Sequence, residues 1–154
     1  MTDTHPLAAV RDSLMGSGDR MVAAVDGLTL AQLNWSPPAE GGNSIYAIAN
    51  HALGAQERLI LGRIFGQEVE PNPPAGWQVT GENPHALRER WQRIRPRLEA
   101  TLSRASSAAL HSDCEHPRLG KLTGWEMLLL VDRHTAEHVG HVELTRDLAK
   151  AAGA

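Results

Sequence analysis

The stretch that decides the fold reads W-E-M-L-L-L-V-D-R-H-T-A-E-H-V-G-H-V-E-L-T-R-D-L and runs from Trp125 to Leu148. Its apolar residues recur at steps of three and four, which is the period of one face of an α-helix. Thr123, followed three residues later by Glu126, is typical of a capping box at the start of such a helix. The sequence therefore predicts a long helix, Thr123 to Lys150, with one face directed toward a core.

The second half of that face carries imidazoles instead of apolar side chains. His134, His138 and His141 continue the three- and four-residue spacing. Histidines four residues apart lie about 6 Å apart along a helix axis and on nearly the same side of it. Burying imidazoles without partners is costly, so the row predicts one half of a metal site.

A third imidazole comes from an earlier predicted helix, where His51 lies on the flank of the apolar face. Helical bundles bind metals with side chains of facing helices, and three protein ligands leave a position open for water or substrate. We expect His51, His134 and His138 to bind one divalent ion. His134 and His141 are about 10.5 Å apart along the axis, so His141 is expected at the rim. A His138–His141 pair, or solvated or core histidines, remain the alternatives.

Three further segments have helical periodicity, and the remainder of the chain contains few strand signals. Gly16 and Gly18 should loosen the first helix, and a short hairpin is expected around Pro117 to Gly120. The pattern predicts an all-α four-helix bundle in one domain, residues 1–154. The four predicted helices are Leu7–Leu28, Asn43–Phe65, Pro84–Ser106 and Thr123–Lys150.

Composition limits the function classes and the compartment. The formal net charge of −3 gives no electrostatic case for nucleic acid as a partner. The longest strongly apolar run, Met127 to Val131, is too short to cross a bilayer, and Met1 to Val10 does not resemble a signal peptide. One cysteine, Cys114, suits a reducing cytoplasm. We therefore expect a cytoplasmic protein with a small-molecule substrate and no membrane partner.

Three segments carry a family resemblance. L-T-L-A-Q-L-N-W-S-P-P-A-E-G-G-N-S-I (residues 28–45) is a Trp-Pro connector, A-N-H-A-L-G-A-Q-E (residues 49–57) contains His51, and H-T-A-E-H-V-G-H (residues 134–141) contains the spaced histidines. Together they resemble the DinB-like (DinB/YfiT) superfamily, whose terminal signature is H-x-x-x-H-x-G-Q. The chain departs from it at His141, where the family often has Gln, and at Glu137, where many members have another His.

The resemblance implies an up-down-down-up bundle that binds a divalent ion, often zinc or nickel, and forms a homodimer. It also implies a metal-dependent enzyme, either a thiol-dependent S-transferase or a related hydrolase, with a low-molecular-weight thiol as a possible cosubstrate. A cation that deprotonates a thiol would produce a nucleophile at neutral pH. Glu137 and His141 are the candidate catalytic residues. The alternative is a non-catalytic metal-containing bundle of the stress response.

Two other motifs suggest different chemistry. His134 to His138 also spells H-x-x-E-H, the inverted zinc-peptidase motif, but the short chain after His138 offers little room for the downstream carboxylate ligand that those peptidases use. His111, Cys114 and His116 lack a fourth ligand and a regular spacing, so we expect them on a loop surface. A solvated carboxylate is the alternative for Glu137.

Overall fold

The computed structural model describes residues 6–71 and 76–154, and most of these residues are helical. The α-helices are α1 (Pro6–Val25), α2 (Leu30–Asn34), α3 (Ile45–Ala55), α4 (Ala86–Ser103), α5 (Ser107–His111) and α6 (Gly124–Ala151). A π-helical segment, Gln56–Ile64, continues α3 directly, and a 3-10 turn covers Gly76–Gln78. Strands β1 (Asp113–His116) and β2 (Gly120–Thr123) form an antiparallel hairpin, as the sequence predicted.

Four of these elements form the predicted four-helix bundle: α1, α3 with its π-helical continuation, α4 and α6. Contacts between α1 and α4 show that these two helices are antiparallel. Arg88, near the start of α4, pairs with Asp26 just after α1, and Arg11, near the start of α1, donates to Ser103 at the end of α4.

The remaining contacts give the direction of the other two helices. Arg20 in the second half of α1 pairs with Glu143 in the second half of α6, so α1 and α6 are parallel. Arg90, early in α4, donates to the side chain of Asn50 in α3, so α3 and α4 run the same way. The order is therefore up-down-down-up, and the parallel pair α3–α4 needs the long connection between Gln67 and Asn83, of which residues 72–75 lie outside the described part.

The structure corrects the expectation that glycines loosen the first helix. α1 is continuous through Gly16 and Gly18. Gly18 is buried because the indole ring of Trp91 in α4 lies against its backbone, where a Cβ would collide with the ring. Trp91 Nε1 also donates a hydrogen bond to Asp19 over 2.8 Å. A small residue at position 18 thus lets α1 and α4 approach closely.

Capping side chains fix the ends of the helices that carry the candidate site. Thr123 accepts a hydrogen bond from the Glu126 backbone N–H over 3.2 Å, and the Glu126 carboxylate accepts from Thr123 N over 2.7 Å. This is the predicted capping box of α6. Ser44 caps α3 in the same way, accepting from Ala47 N over 3.1 Å. Both helices therefore begin where their polar start signals indicate.

The third bundle helix begins later than the sequence predicted. The Asn83 side chain accepts from the backbone N–H of His85 over 2.9 Å and so closes a turn before the helix. α4 then begins at Ala86, two residues after the predicted start at Pro84. Among the helices of residues 6–71 and 76–154, none combines the length and the hydropathy that a membrane span requires.

Candidate metal centre

The antiparallel packing of α3 and α6 places His51 opposite two histidines of α6. His51 Nε2 lies 3.0 Å from His134 Nε2, and His138 Nε2 lies 3.1 Å from that same atom. One ligand nitrogen from each ring lies within 4.8 Å of the other two. Within the described ranges, this is the one group of three or more potential ligands close enough to hold a metal ion.

The donor set fits a divalent ion. Imidazole nitrogens bind zinc at about 2.0–2.1 Å, and two such ligands of a tetrahedral ion are about 3.3 Å apart. Two of the three Nε2 pairs already approach this separation, and one nitrogen of each ring lies within 4.8 Å of the other two. His134 Nδ1 is buried and has no hydrogen-bond partner among the residues that the structure describes. Three imidazoles suit zinc and nickel, as well as copper and iron.

Burial keeps these imidazoles neutral. It lowers the pKa of His51 to about 4, and the charges of His134 and His138 act in the same direction. Burial also lowers the pKa of His138 to about 4, assisted by His134 and His141. The pKa of His134 is lowered too, again mainly by burial. At neutral pH each ring therefore retains a nitrogen lone pair for a metal ion.

His141 lies outside the three-histidine group but contacts one of its members. Its Nδ1 is 3.3 Å from Nδ1 of His138, and its side chain is exposed. If His138 binds a metal through Nε2, its Nδ1 must carry the proton and donates it to His141. His141 can thus fix the tautomer and the ring orientation of His138.

Glu137 is exposed on α6 between His134 and His138 in sequence. Its negative charge opposes the effect of burial on the pKa of both histidines. The carboxylate is therefore within electrostatic reach of the candidate centre and accessible to solvent.

The ring of Trp77, in the long connection between Gln67 and Asn83, covers one side of the centre. The Trp77 ring lies 4.2 Å from the His51 ring, centroid to centroid, at an interplanar angle of 34°, and 5.8 Å from the His138 ring. Trp77 also lines a cavity of about 320 Å³. Ile48 and Leu144 form further apolar walls of this cavity, which His138 and His141 border.

Sequence analysis did not identify two cations near the centre. Positive charges of Arg58 and Arg118 help to lower the pKa of His51. Arg58 follows His51 by seven residues, which is two helical turns and therefore the same face, so the spacing contained a usable signal. Arg118 belongs to the turn of the β1–β2 hairpin, and nothing in the sequence indicates that this turn lies beside α3.

The His/Cys segment does not contribute a ligand to the three-histidine group. His111 is exposed at the end of α5, and Cys114 is partly buried in β1. Burial and the nearby Asp113 raise the pKa of the Cys114 thiol, which disfavours the thiolate. His116 is half-buried, and its charge contributes to the lowered pKa of His134.

Comparison with known proteins finds both a family model and a solved structure that match the chain. The family model described as the DinB superfamily matches residues 14–142. The structure of YfiT from Bacillus subtilis is similar, with a TM-score of 0.73 and 16% sequence identity over 99% of this chain and 90% of that chain. YfiT is described as a probable metal-dependent hydrolase with an unusual four-helix bundle topology. Among curated proteins, none matches the chain. The likeness to YfiT shows a shared fold.

Proposed function

Because the chain belongs to the DinB superfamily, we propose that it is a metal-dependent hydrolase of small molecules, with one divalent ion bound by His51, His134 and His138. The observation that carries this proposal is the convergence of three neutral imidazole Nε2 atoms from two facing helices. The description of YfiT as a probable metal-dependent hydrolase supports the same reaction class. Zinc and nickel are the ions that we expect.

The centre has the composition of a catalytic site. When bound, a divalent ion with three protein ligands lowers the pKa of a coordinated water and polarises a carbonyl or phosphoryl oxygen. His51, His134 and His138 would hold the ion, and His141 would keep the His138 ring in the ligating tautomer through the contact between their Nδ1 atoms.

Glu137 is the residue that we propose as the proton acceptor. Its carboxylate is accessible to solvent and electrostatically coupled to His134 and His138. A general base at the edge of the centre would take a proton from the attacking water and give it to the leaving group. Glu137→Gln should therefore lower kcat while metal content stays unchanged.

The cavity beside His138 is the proposed binding site for the apolar part of the substrate. Trp77, Ile48 and Leu144 offer apolar walls there, and its volume of about 320 Å³ suits a small organic group. Since Trp77 also stacks against His51, a group in this cavity lies directly beside the candidate metal ligands.

A thiol-dependent S-transferase is the second candidate function. The single cysteine, Cys114, lies outside the three-histidine group, and its thiol has a raised pKa. A nucleophilic thiol would therefore have to come from a low-molecular-weight cosubstrate that enters the open position of the ion. Hydrolysis and S-transfer would use the same histidines and differ in whether turnover requires that thiol.

Metal analysis of the untagged protein tests the site. We expect about one divalent ion per chain near neutral pH and its loss in His51→Ala, His134→Ala and His138→Ala. His111→Ala is the matched control, because His111 is an exposed histidine outside the centre. The site assignment is wrong if the wild-type chain binds no divalent ion, or if all three ligand variants retain it.

Turnover of ester, amide and phosphoester substrates, with and without added thiol, distinguishes the functions. Hydrolysis without thiol that disappears with the metal supports the first proposal, and strictly thiol-dependent turnover of an electrophile supports the second. Stoichiometric metal with no turnover of either kind would favour a non-catalytic metal-containing bundle.

A further inference from the structure

A second cavity lies between the π-helical segment, the connection that follows it and the turn of the β1–β2 hairpin. Its volume is about 500 Å³. Arg58 and Arg63 line it from the π-helical segment, Glu70 and Pro71 from the following connection, and Pro117 from the hairpin turn. Two guanidinium groups, those of Arg58 and Arg63, therefore belong to the lining of this cavity.

The charges that line this cavity are not balanced. Glu70, the acidic residue of the lining, pairs with Arg93 over 3.1 Å. Within residues 6–71 and 76–154, no carboxylate oxygen lies within 4 Å of the guanidinium of Arg58, Arg63 or Arg118. All five arginines of α4 have a carboxylate partner within that distance, whereas the two arginines that line this cavity do not.

The side chain of Arg58 lies against the backbone of α3 at Gly54. Its guanidinium folds back over Gly54, where a Cβ would collide with Nη1. Arg90 Nη2 approaches the same place, at 3.1 Å from the position of that Cβ, but Arg90 is paired with Glu57 over 2.9 Å. Gly54 thus makes room for two guanidinium groups, and only that of Arg90 has a carboxylate partner in the described residues.

This position brings Arg58 toward the metal ligands. Gly54 follows His51 by three residues, which is a rise of about 4.5 Å along the helix. Ile48, in the apolar cavity, precedes His51 by three residues. Along α3, His51 thus lies one turn after Ile48, which lines the apolar cavity, and one turn before Gly54, over which the guanidinium of Arg58 folds.

A half-buried arginine without an anionic partner is costly unless a ligand supplies the charge. The planar guanidinium fork matches the oxygens of carboxylate and phosphate groups. We propose that the cavity lined by Arg58 and Arg63 binds an acidic group of the substrate. The substrate would be a small molecule with a carboxylate or phosphate on one side of the reacting bond and an apolar group on the other.

This inference rests on the proposed function only in that it calls the bound molecule a substrate. Anion binding itself can be measured without catalysis. The probes are succinate, inorganic phosphate and dimethyl succinate, which resembles succinate but is uncharged. Calorimetric titration into chelator-treated, metal-free protein at constant ionic strength measures binding to the cavity alone. We expect succinate or phosphate to bind and dimethyl succinate not to bind.

Two variants of equal charge change locate the bound anion. Arg58→Gln should weaken binding by about 10- to 100-fold, as expected for the loss of a charge-assisted hydrogen bond. Arg104→Gln removes the same charge from an exposed position at the end of α4 and should change the dissociation constant by less than about twofold. Circular dichroism verifies that both variants are folded.

The outcomes separate this inference from the proposed function. Preference for succinate identifies a carboxylate, and preference for phosphate identifies a phosphate; both support the inference. Absence of anion binding, or an equal effect of Arg58→Gln and Arg104→Gln, overturns it even if the metal-loaded protein hydrolyses neutral esters. Anion binding that depends on Arg58 in a protein without hydrolytic activity would instead refute only the proposed reaction.

Discussion

His51 and His138 each have a pKa of about 4 because burial disfavours the charged imidazolium and the neighbouring imidazoles add to that effect. Protons therefore compete poorly with a metal ion for these nitrogens above about pH 5. In the metal-free protein the same shift lowers stability as the pH falls from about 6.5 toward 4, because the unfolded chain binds these protons first.

The first prediction at this scale concerns metal retention in acid. Histidines with the unperturbed pKa of about 6.5 would release the metal below about pH 6. Because the pKa values of His51 and His138 are lowered to about 4, we expect retention at pH 5.5 and release as the pH approaches 4. Equilibrium dialysis between pH 7 and 4, followed by metal analysis, measures this. Far-UV circular dichroism at each pH separates release from unfolding. Release of half of the metal by pH 6 in folded protein would contradict the prediction.

At the scale of the elements, packing between helices decides what each glycine does. Gly16 and Gly18 both lie within α1, where glycine lowers helix stability. A Cβ added at position 16 would meet nothing within 4 Å, whereas a Cβ at position 18 would collide with the ring of Trp91 from α4. Gly16 therefore only lowers the stability of the helix, whereas Gly18 leaves the space that the Trp91 ring occupies.

The pair therefore supplies a matched experiment. Gly18→Ala should destabilise the fold by about 1–3 kcal/mol, since the added methyl group forces Trp91 away from its position against α1. Gly16→Ala should stabilise it by about 0.5–1 kcal/mol, because alanine favours the helix and nothing obstructs its Cβ. Urea unfolding followed by tryptophan fluorescence measures both. Equal changes in the two variants would show that Trp91 does not restrict position 18.

At the scale of the whole molecule, a buried ion pair joins the two parallel helices. Arg90 of α4 and Glu57 of the π-helical segment are buried and pair over 2.9 Å. Arg90 also donates to the side chain of Asn50 over 2.7 Å, and Arg97 lies 3.7 Å from the second oxygen of Glu57. These contacts connect segments that are distant in sequence, next to the candidate metal ligand His51. The homodimer expected from the family resemblance stays a prediction.

Removal of the buried carboxylate tests this connection. Glu57→Ala leaves the guanidinium of Arg90 buried and uncompensated, so it should reduce the free energy of unfolding by about 3–5 kcal/mol. Glu143→Ala breaks the more exposed pair with Arg20 and should cost at most about 1 kcal/mol. Chemical denaturation of both variants gives the comparison. A cost for Glu57→Ala as small as that of the control would mean that the buried pair contributes little.

Much of this fold follows from the sequence because its signals are local. The three- and four-residue spacing of apolar side chains predicts the bundle helices, and Thr123 with Glu126 predicts the start of α6. The hairpin before α6 was also expected from its turn residues. The start of α4 was predicted too early, since the local turn made by Asn83 and His85 resembles a helix cap in sequence.

In the candidate site, too, the local features could be predicted from the sequence and the contacts between distant residues could not. Spacing along the helix faces singled out His134 and His138 on one predicted helix and His51 on the flank of another, and the family resemblance indicated the same three residues, since both depend on short segments of sequence. The seven-residue spacing of His51 and Arg58 was a signal that the sequence contained, but the sequence could not indicate that the Trp77 ring lies against His51, that Arg118 lies near it, or that the Trp91 ring packs on Gly18. Those contacts depend on how α3 packs against α6 and on the paths of the connections, and such distances between remote residues exist only once the chain has folded.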